Sequence, residues 1–142
     1  MRLDGISLAI LHSRLISIVD ESAATLVRTA YSHIIRDAKD FAVGLLDSEG
    51  HTLSQSTESI PVFLGTMSRT ARALLEQTQP VGPDDIVVTN DPWLGSGHLP
   101  DVNMLMPVYD GDALLGYVVV IAHMADIGGR ILGTDANELF EE

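Results

Sequence analysis

Asp110-Gly111-Asp112 stands between two strand-length apolar runs, residues 102–109 and 114–122. No other feature narrows the fold of this chain as much. A short polar segment with a central glycine reverses the backbone as a tight hairpin, so the two runs pair antiparallel. A parallel pair would need a crossover of a dozen residues or more. Polar, glycine- and proline-rich segments flank this hairpin. Asn90-Asp91-Pro92-Trp93-Leu94-Gly95-Ser96-Gly97-His98-Leu99-Pro100-Asp101 lies before it, and His123-Met124-Ala125-Asp126-Ile127-Gly128-Gly129 follows it.

The remaining elements agree with an antiparallel sheet. Phe41-Ala42-Val43-Gly44-Leu45-Leu46 reads as a strand, Asp47-Ser48-Glu49-Gly50 as a turn, and His51-Thr52-Leu53-Ser54-Gln55 as the returning strand. Asp4 is an N-cap for a helix beginning near Gly5, with Leu8, Leu11, Leu15, Ile18/Val19, Ser22 and Leu26 on a packing face. That helix should run for about six turns and carry His12 as a structural or surface residue. Residues 57–65 read as a loop. A second helix is expected from Thr66, with Met67, Thr70/Ala71 and Leu74/Leu75 as its inner stripe. Residues 85–89 read as a short buried strand leading into the Asn90 loop. The order is helix, hairpin, helix, strand, loop, hairpin. This is an α+β architecture: a long N-terminal helix and a second helix packed on a mostly antiparallel sheet. After His123 no further core segment appears, so the expectation is an incomplete part of a larger domain.

Composition excludes several classes. The 142 residues are 46% hydrophobic, enough for one domain with a core. No apolar run approaches the roughly 20 residues needed to span a bilayer, and the longest, residues 113–125, is broken by Gly116 and His123. The net charge of −12 repels nucleic acid and anionic membrane, so neither is an expected partner. Cysteine is absent. That removes thiolate chemistry and disulfides and fits a reducing cytoplasm, the expected location. No Gly-rich phosphate loop of Walker type is present, so ATP is not expected to bind this chain.

The two flanking segments gather side chains able to bind a metal. His98 and Asp101 are three apart on a loop, and His123 ends a strand, where rigid backbone directs it. Imidazole together with carboxylate suits Zn, Mn or Fe better than Ca, which takes oxygen ligands. These residue types leave two readings open, a metal site and a loop whose polar groups serve its turns. Asp40, at the entrance to the first hairpin, is either a cleft-facing carboxylate or a helix-end aspartate. Trp93 is expected as a core aromatic, with a substrate wall as the alternative.

These motifs resemble the hydantoinase B/oxoprolinase family. The resemblance rests on Asn90-Asp91-Pro92-Trp93, on Gly97-His98-Leu99-Pro100-Asp101-Val102, and on Ala122-His123-Met124-Ala125-Asp126-Ile127-Gly128-Gly129. Asp40-Phe41, Ile60-Pro61-Val62, Leu64-Gly65-Thr66-Met67 and Glu138-Leu139-Phe140-Glu141-Glu142 add to it. It covers nearly the whole chain, in order, and implies that residues 1–142 are the N-terminal part of such a domain. Many members carry histidines in the segment corresponding to Ser59 and Phe63, a departure that points toward the ketone carboxylase branch. The resemblance implies a divalent metal (Zn, Mn or Fe) held by Asp40, His98, Asp101 and His123, which would converge in space. Asp126 would be a further ligand or an acceptor for an imidazole N–H, and is the candidate catalytic residue beside the metal. Gly95, Gly97, Gly128 and Gly129 would admit backbone close to ion or substrate.

The implied activity is that of a B-type subunit in an ATP-dependent hydrolase opening cyclic amides of hydantoin or 5-oxoproline type. ATP would be used by a hydantoinase A-like partner subunit. The alternatives are a ketone carboxylase subunit of acetone carboxylase type and a non-catalytic fragment acting as a binding or assembly module. The isolated chain is expected to be inactive without the rest of the domain and its partner.

Overall fold

The computed structural model describes residues 4–78 and 81–125. Eight elements follow in order: α1 (Gly5–Thr29), α2 (His33–Arg36), β1 (Phe41–Asp47), β2 (Thr52–Gln55), α3 (Pro61–Thr78), β3 (Val87–Thr89), β4 (Asp101–Asp110) and β5 (Ala113–His123). The five strands form one sheet in the order β2-β1-β5-β4-β3, and every pairing is antiparallel. The α+β reading therefore holds.

The sheet is central because its two faces are covered separately. Side chains alternate along a strand, so residues two apart share a face. Ala42 and Leu46 of β1, Tyr117, Val119 and Ile121 of β5, and Leu105 of β4 pack with Phe63, Met67, Ala71 and Leu75 of α3. Phe41 and Val43 of β1 and Ala122 of β5 pack with Val19 and Ala23 of α1 and with Ile35 of α2. Burial from both sides explains why β1 is an apolar run rather than an alternating strand. The register Phe41↔Ala122 through Asp47↔Gly116 locks β1 against β5, with Asp101↔His123 at the matching end of the β4/β5 pair.

Three sequence expectations change. First, α3 begins at Pro61, inside the segment read as a loop. Proline is tolerated in a first turn because the N–H it lacks would have no helical partner there. Thr66 is thus interior, its hydroxyl turned back to the carbonyls of Val62 and Phe63. Second, β3 is an exposed edge strand rather than a buried one: Val88 is 57% exposed. It pairs on one side only, with β4. Third, α1 carries the expected Asp4 cap, whose carboxylate accepts from the Ser7 N–H at 2.7 Å, but it packs only over its second half. Val19 and Ala23 are buried, while Leu8 and Leu11 are exposed. A helix of 25 residues is roughly 37 Å long, and its contacts with the sheet fall mainly on β1 and β2. No helix among the described residues is long and apolar enough to cross a membrane.

Candidate functional site

One end of the sheet collects four of the sequence-singled residues. Asp101 opens β4 and His123 closes β5, directly opposite each other in the register. Asp40 immediately precedes β1, and its carbonyl accepts from the His123 N–H at 3.0 Å. By the same alternation, Asp40, Asp101 and His123 belong to the face covered by α3. His98 reaches them from the loop between β3 and β4. That loop is stapled locally: the Asp101 N–H donates to the His98 carbonyl at 3.1 Å, and the Met124 N–H to the Pro100 carbonyl at 2.8 Å. It is also tied to α3, because the Thr70 hydroxyl donates to the Leu94 carbonyl at 2.9 Å.

The side chains converge. His123 Nδ1 lies 3.0 Å from Asp101 Oδ1 and 3.8 Å from Asp40 Oδ2, and His98 Nδ1 lies 3.5 Å from Asp101 Oδ1. The two imidazole rings are 4.9 Å apart between centroids. Asp101 and His123 are buried, while Asp40 and His98 are partly open to solvent. Burial pushes the Asp40 carboxyl above the ordinary aspartate value. His123 and His98 pull it back, and the Asp101 charge pushes it further up. The backbone before Asp40 is unusual too. Lys39 takes a positive φ of 57°, alone among the described non-glycine residues, and its ammonium is 3.3 Å from Glu58.

This arrangement fits a divalent cation. His98, Asp101 and His123 can each offer one ligand atom, all within 4.8 Å of one another. Nitrogen and oxygen ligands sit at about 2.0–2.2 Å from zinc, so ligands of one ion are at most about 4.4 Å apart, and the three side chains would hold it after closing in by a few tenths of an ångström. His98 Nε2 is buried and has no hydrogen-bond partner among the described residues. A buried ring nitrogen left in that state is costly unless something else takes it up. Asp126 lies outside the described residues, as do Gly128 and Gly129.

Other expectations are corrected. Trp93 is 86% exposed, so it is not a core aromatic. It rides on a turn built by Asp91, whose carboxylate accepts from the Trp93 N–H at 2.9 Å and whose carbonyl accepts from Gly95. At Gly95 a Cβ would sit 2.8 Å from Asn103 Nδ2, so the close approach there includes the Asn103 side chain. Two residues beside the cluster escaped the sequence reading. Ser96 donates to Asp101 Oδ2. Asn103 is buried, with its Nδ2 donating to the Asp101 carbonyl at 3.1 Å. The signal for Asn103 was its place two residues after Asp101 on a strand, hence on the same face. For Ser96 it was only proximity to His98 in a tight loop.

The comparisons with known proteins agree with the motifs. The family model described as hydantoinase B/oxoprolinase matches residues 4–142. The 5-oxoprolinase of Saccharomyces cerevisiae is 34% identical over 99% of this chain and 11% of its own length. The B-type subunit of a putative D-/L-hydantoinase from a Pseudomonas strain is 31% identical over 94% of this chain and 23% of its own. Among solved structures, nucleotide-free acetone carboxylase superposes with a TM-score of 0.77 at 27% identity, covering 87% of this chain and 16% of that one. The chain spans between 10% and 26% of the length of the curated relatives it matches. With a family model matched over almost its entire length, the chain belongs to the hydantoinase B/oxoprolinase family.

Proposed function

We propose that this chain is the N-terminal part of a B-type subunit in an ATP-dependent enzyme that opens cyclic amides of hydantoin or 5-oxoproline type. Its site would hold Zn, Mn or Fe, and ATP would be used by a hydantoinase A-like partner subunit in the cytoplasm. The observation that carries the reading is the cluster of His98, Asp101 and His123, with Asp40 3.8 Å from His123, in a chain of this family.

His98, Asp101, His123 and Asp40 are the proposed ligands. When bound, the ion supplies polarisation of an amide carbonyl and a lowered pKa for water. Asp101 is buried, and its Oδ1 faces both imidazoles, hydrogen-bonded to His123 Nδ1 and 3.5 Å from His98 Nδ1. Asp40 and His98 form the solvent-facing side, where a small substrate enters. Asp126 is the proposed further ligand or acceptor for an imidazole N–H.

A second reading, a ketone carboxylase subunit, is supported by the likeness to acetone carboxylase. The same four ligands serve it. A non-catalytic module is the third possibility. Metal analysis of the purified chain, alone and with an A-type partner, is the first test. Turnover with ATP is then measured on hydantoin, 5-oxoproline, and acetone with bicarbonate. Stoichiometric metal, with turnover only when both the rest of the domain and the partner are present, is the expected result. ATP-dependent turnover by this chain alone would overturn the division of labour, and a chain that binds no divalent ion would overturn the site.

A further inference from the structure

We propose that Ser96 is a positioning residue for the metal centre: its hydroxyl holds Asp101 Oδ2, so that Oδ1 is the oxygen turned to His98 and His123. The inference rests on the divalent-metal reading above and adds a residue to it.

A carboxylate offers two oxygens with about four acceptor positions, and rotation about its terminal bond interchanges them. At Asp101 the two oxygens have different partners. Oδ2 receives the Ser96 hydroxyl. Oδ1 faces His123 Nδ1 at 3.0 Å and His98 Nδ1 at 3.5 Å. Because the residue is buried, water is a poor substitute for a missing donor at Oδ2.

The main chain around Asp101 is fixed without Ser96. The Asp101 N–H is bonded to His98, the Asp101 carbonyl receives Asn103 Nδ2, and Met124 closes on Pro100. Strand pairing with His123 adds a further restraint. Ser96 is therefore free of any backbone duty at Asp101, and what it controls is the direction of one carboxylate. It is itself held in place by the loop, through Gly95 bonded to Asp91 and Leu94 bonded to Thr70. Groups that hydrogen-bond a ligand in this way typically change metal affinity 10–100-fold when removed.

The test is calorimetric titration of Zn²⁺ and of Mn²⁺ into the full chain, Ser96→Ala and Ser96→Thr, with thermal melting of each metal-free protein. Ser96→Ala is expected to bind 10–100-fold more weakly and Ser96→Thr to recover most of the parent affinity, with all three metal-free chains folded and Ser96→Ala melting a few degrees below the parent, because a buried carboxylate oxygen loses its donor. Parent-like affinity in Ser96→Ala overturns the assignment while leaving the metal reading intact. So does failure of the threonine to restore binding, or a metal-free Ser96→Ala that is unfolded, since either marks a structural role. A parent chain that binds neither ion overturns both readings.

Discussion

Gly116→Ala is the substitution this fold should tolerate least. Gly116 lies in β5, opposite Asp47 of β1 on one side and Val108 of β4 on the other. A Cβ built there falls 2.1 Å from the Leu46 carbonyl oxygen, 3.2 Å from its carbon and 3.3 Å from Asp47 Cα. A carbon normally approaches a carbonyl oxygen to about 3.3 Å, so the two strands must part by roughly 1 Å. The obstacle is backbone, which cannot swing aside as a side chain would. Local separation weakens the neighbouring ladder bonds at about 1 kcal/mol each, and overpacking adds about 1–3 kcal/mol. A loss of about 3 kcal/mol is a large share of the roughly 5–15 kcal/mol that stabilises a domain. For a chain of this size it lowers the melting temperature by about 10 °C. Gly65→Ala is the matched control: nothing lies within 4 Å of its Cβ, and it is interior to α3, so it should stabilise by up to about 1 kcal/mol. Thermal and urea unfolding followed by circular dichroism measure both. A Gly116→Ala chain that melts with the parent would refute the reasoning and imply that β1 and β5 do not approach as closely as described.

The other predictions concern the site. His98→Ala and His123→Ala should each weaken divalent-metal binding by more than the 10–100-fold typical of an outer contact, whereas His12→Ala and His51→Ala, both exposed, should titrate as the parent does; calorimetry in which His98→Ala binds normally would move the site elsewhere. The raised Asp40 carboxyl makes the metal-free fold bind a proton more readily than the unfolded chain does. Its contribution is therefore most favourable at low pH and is lost as pH rises from about the unfolded value toward and past the folded one. Asp40→Asn should flatten that part of a melting-temperature profile recorded with chelator, and an unchanged profile counts against the burial that raises Asp40. Trp93 is the single tryptophan, so its emission should be that of a solvated indole, freely quenched by acrylamide, and Trp93→Ala should change stability by less than about 0.5 kcal/mol; a blue-shifted, protected signal would contradict its exposure.

Local chemistry was legible in the chain. The Asp4 cap, the turns at Asp47–Gly50 and Asp110–Asp112, and strands ending near Tyr109 and His123 all depend on neighbours a few residues away, and they appear where turn residues and apolar period place them. That His98, Asp101 and His123 are residue types able to bind a metal was likewise readable, since residue type and motif need no fold. Where α3 begins was not: Pro61 suits both a loop and a first helical turn, and packing of Phe63 against the sheet decides for the helix. The exposure of Trp93 and of the first half of α1 depends on which distant segments pack against them, which no local pattern encodes. Most of all, the tertiary structure put β1 beside β5 and so Asp40 beside His123. It also divided the two oxygens of Asp101 between Ser96 and the imidazoles. Strand pairing between distant segments is set by which faces must be buried together, and that is a property of the assembled sheet.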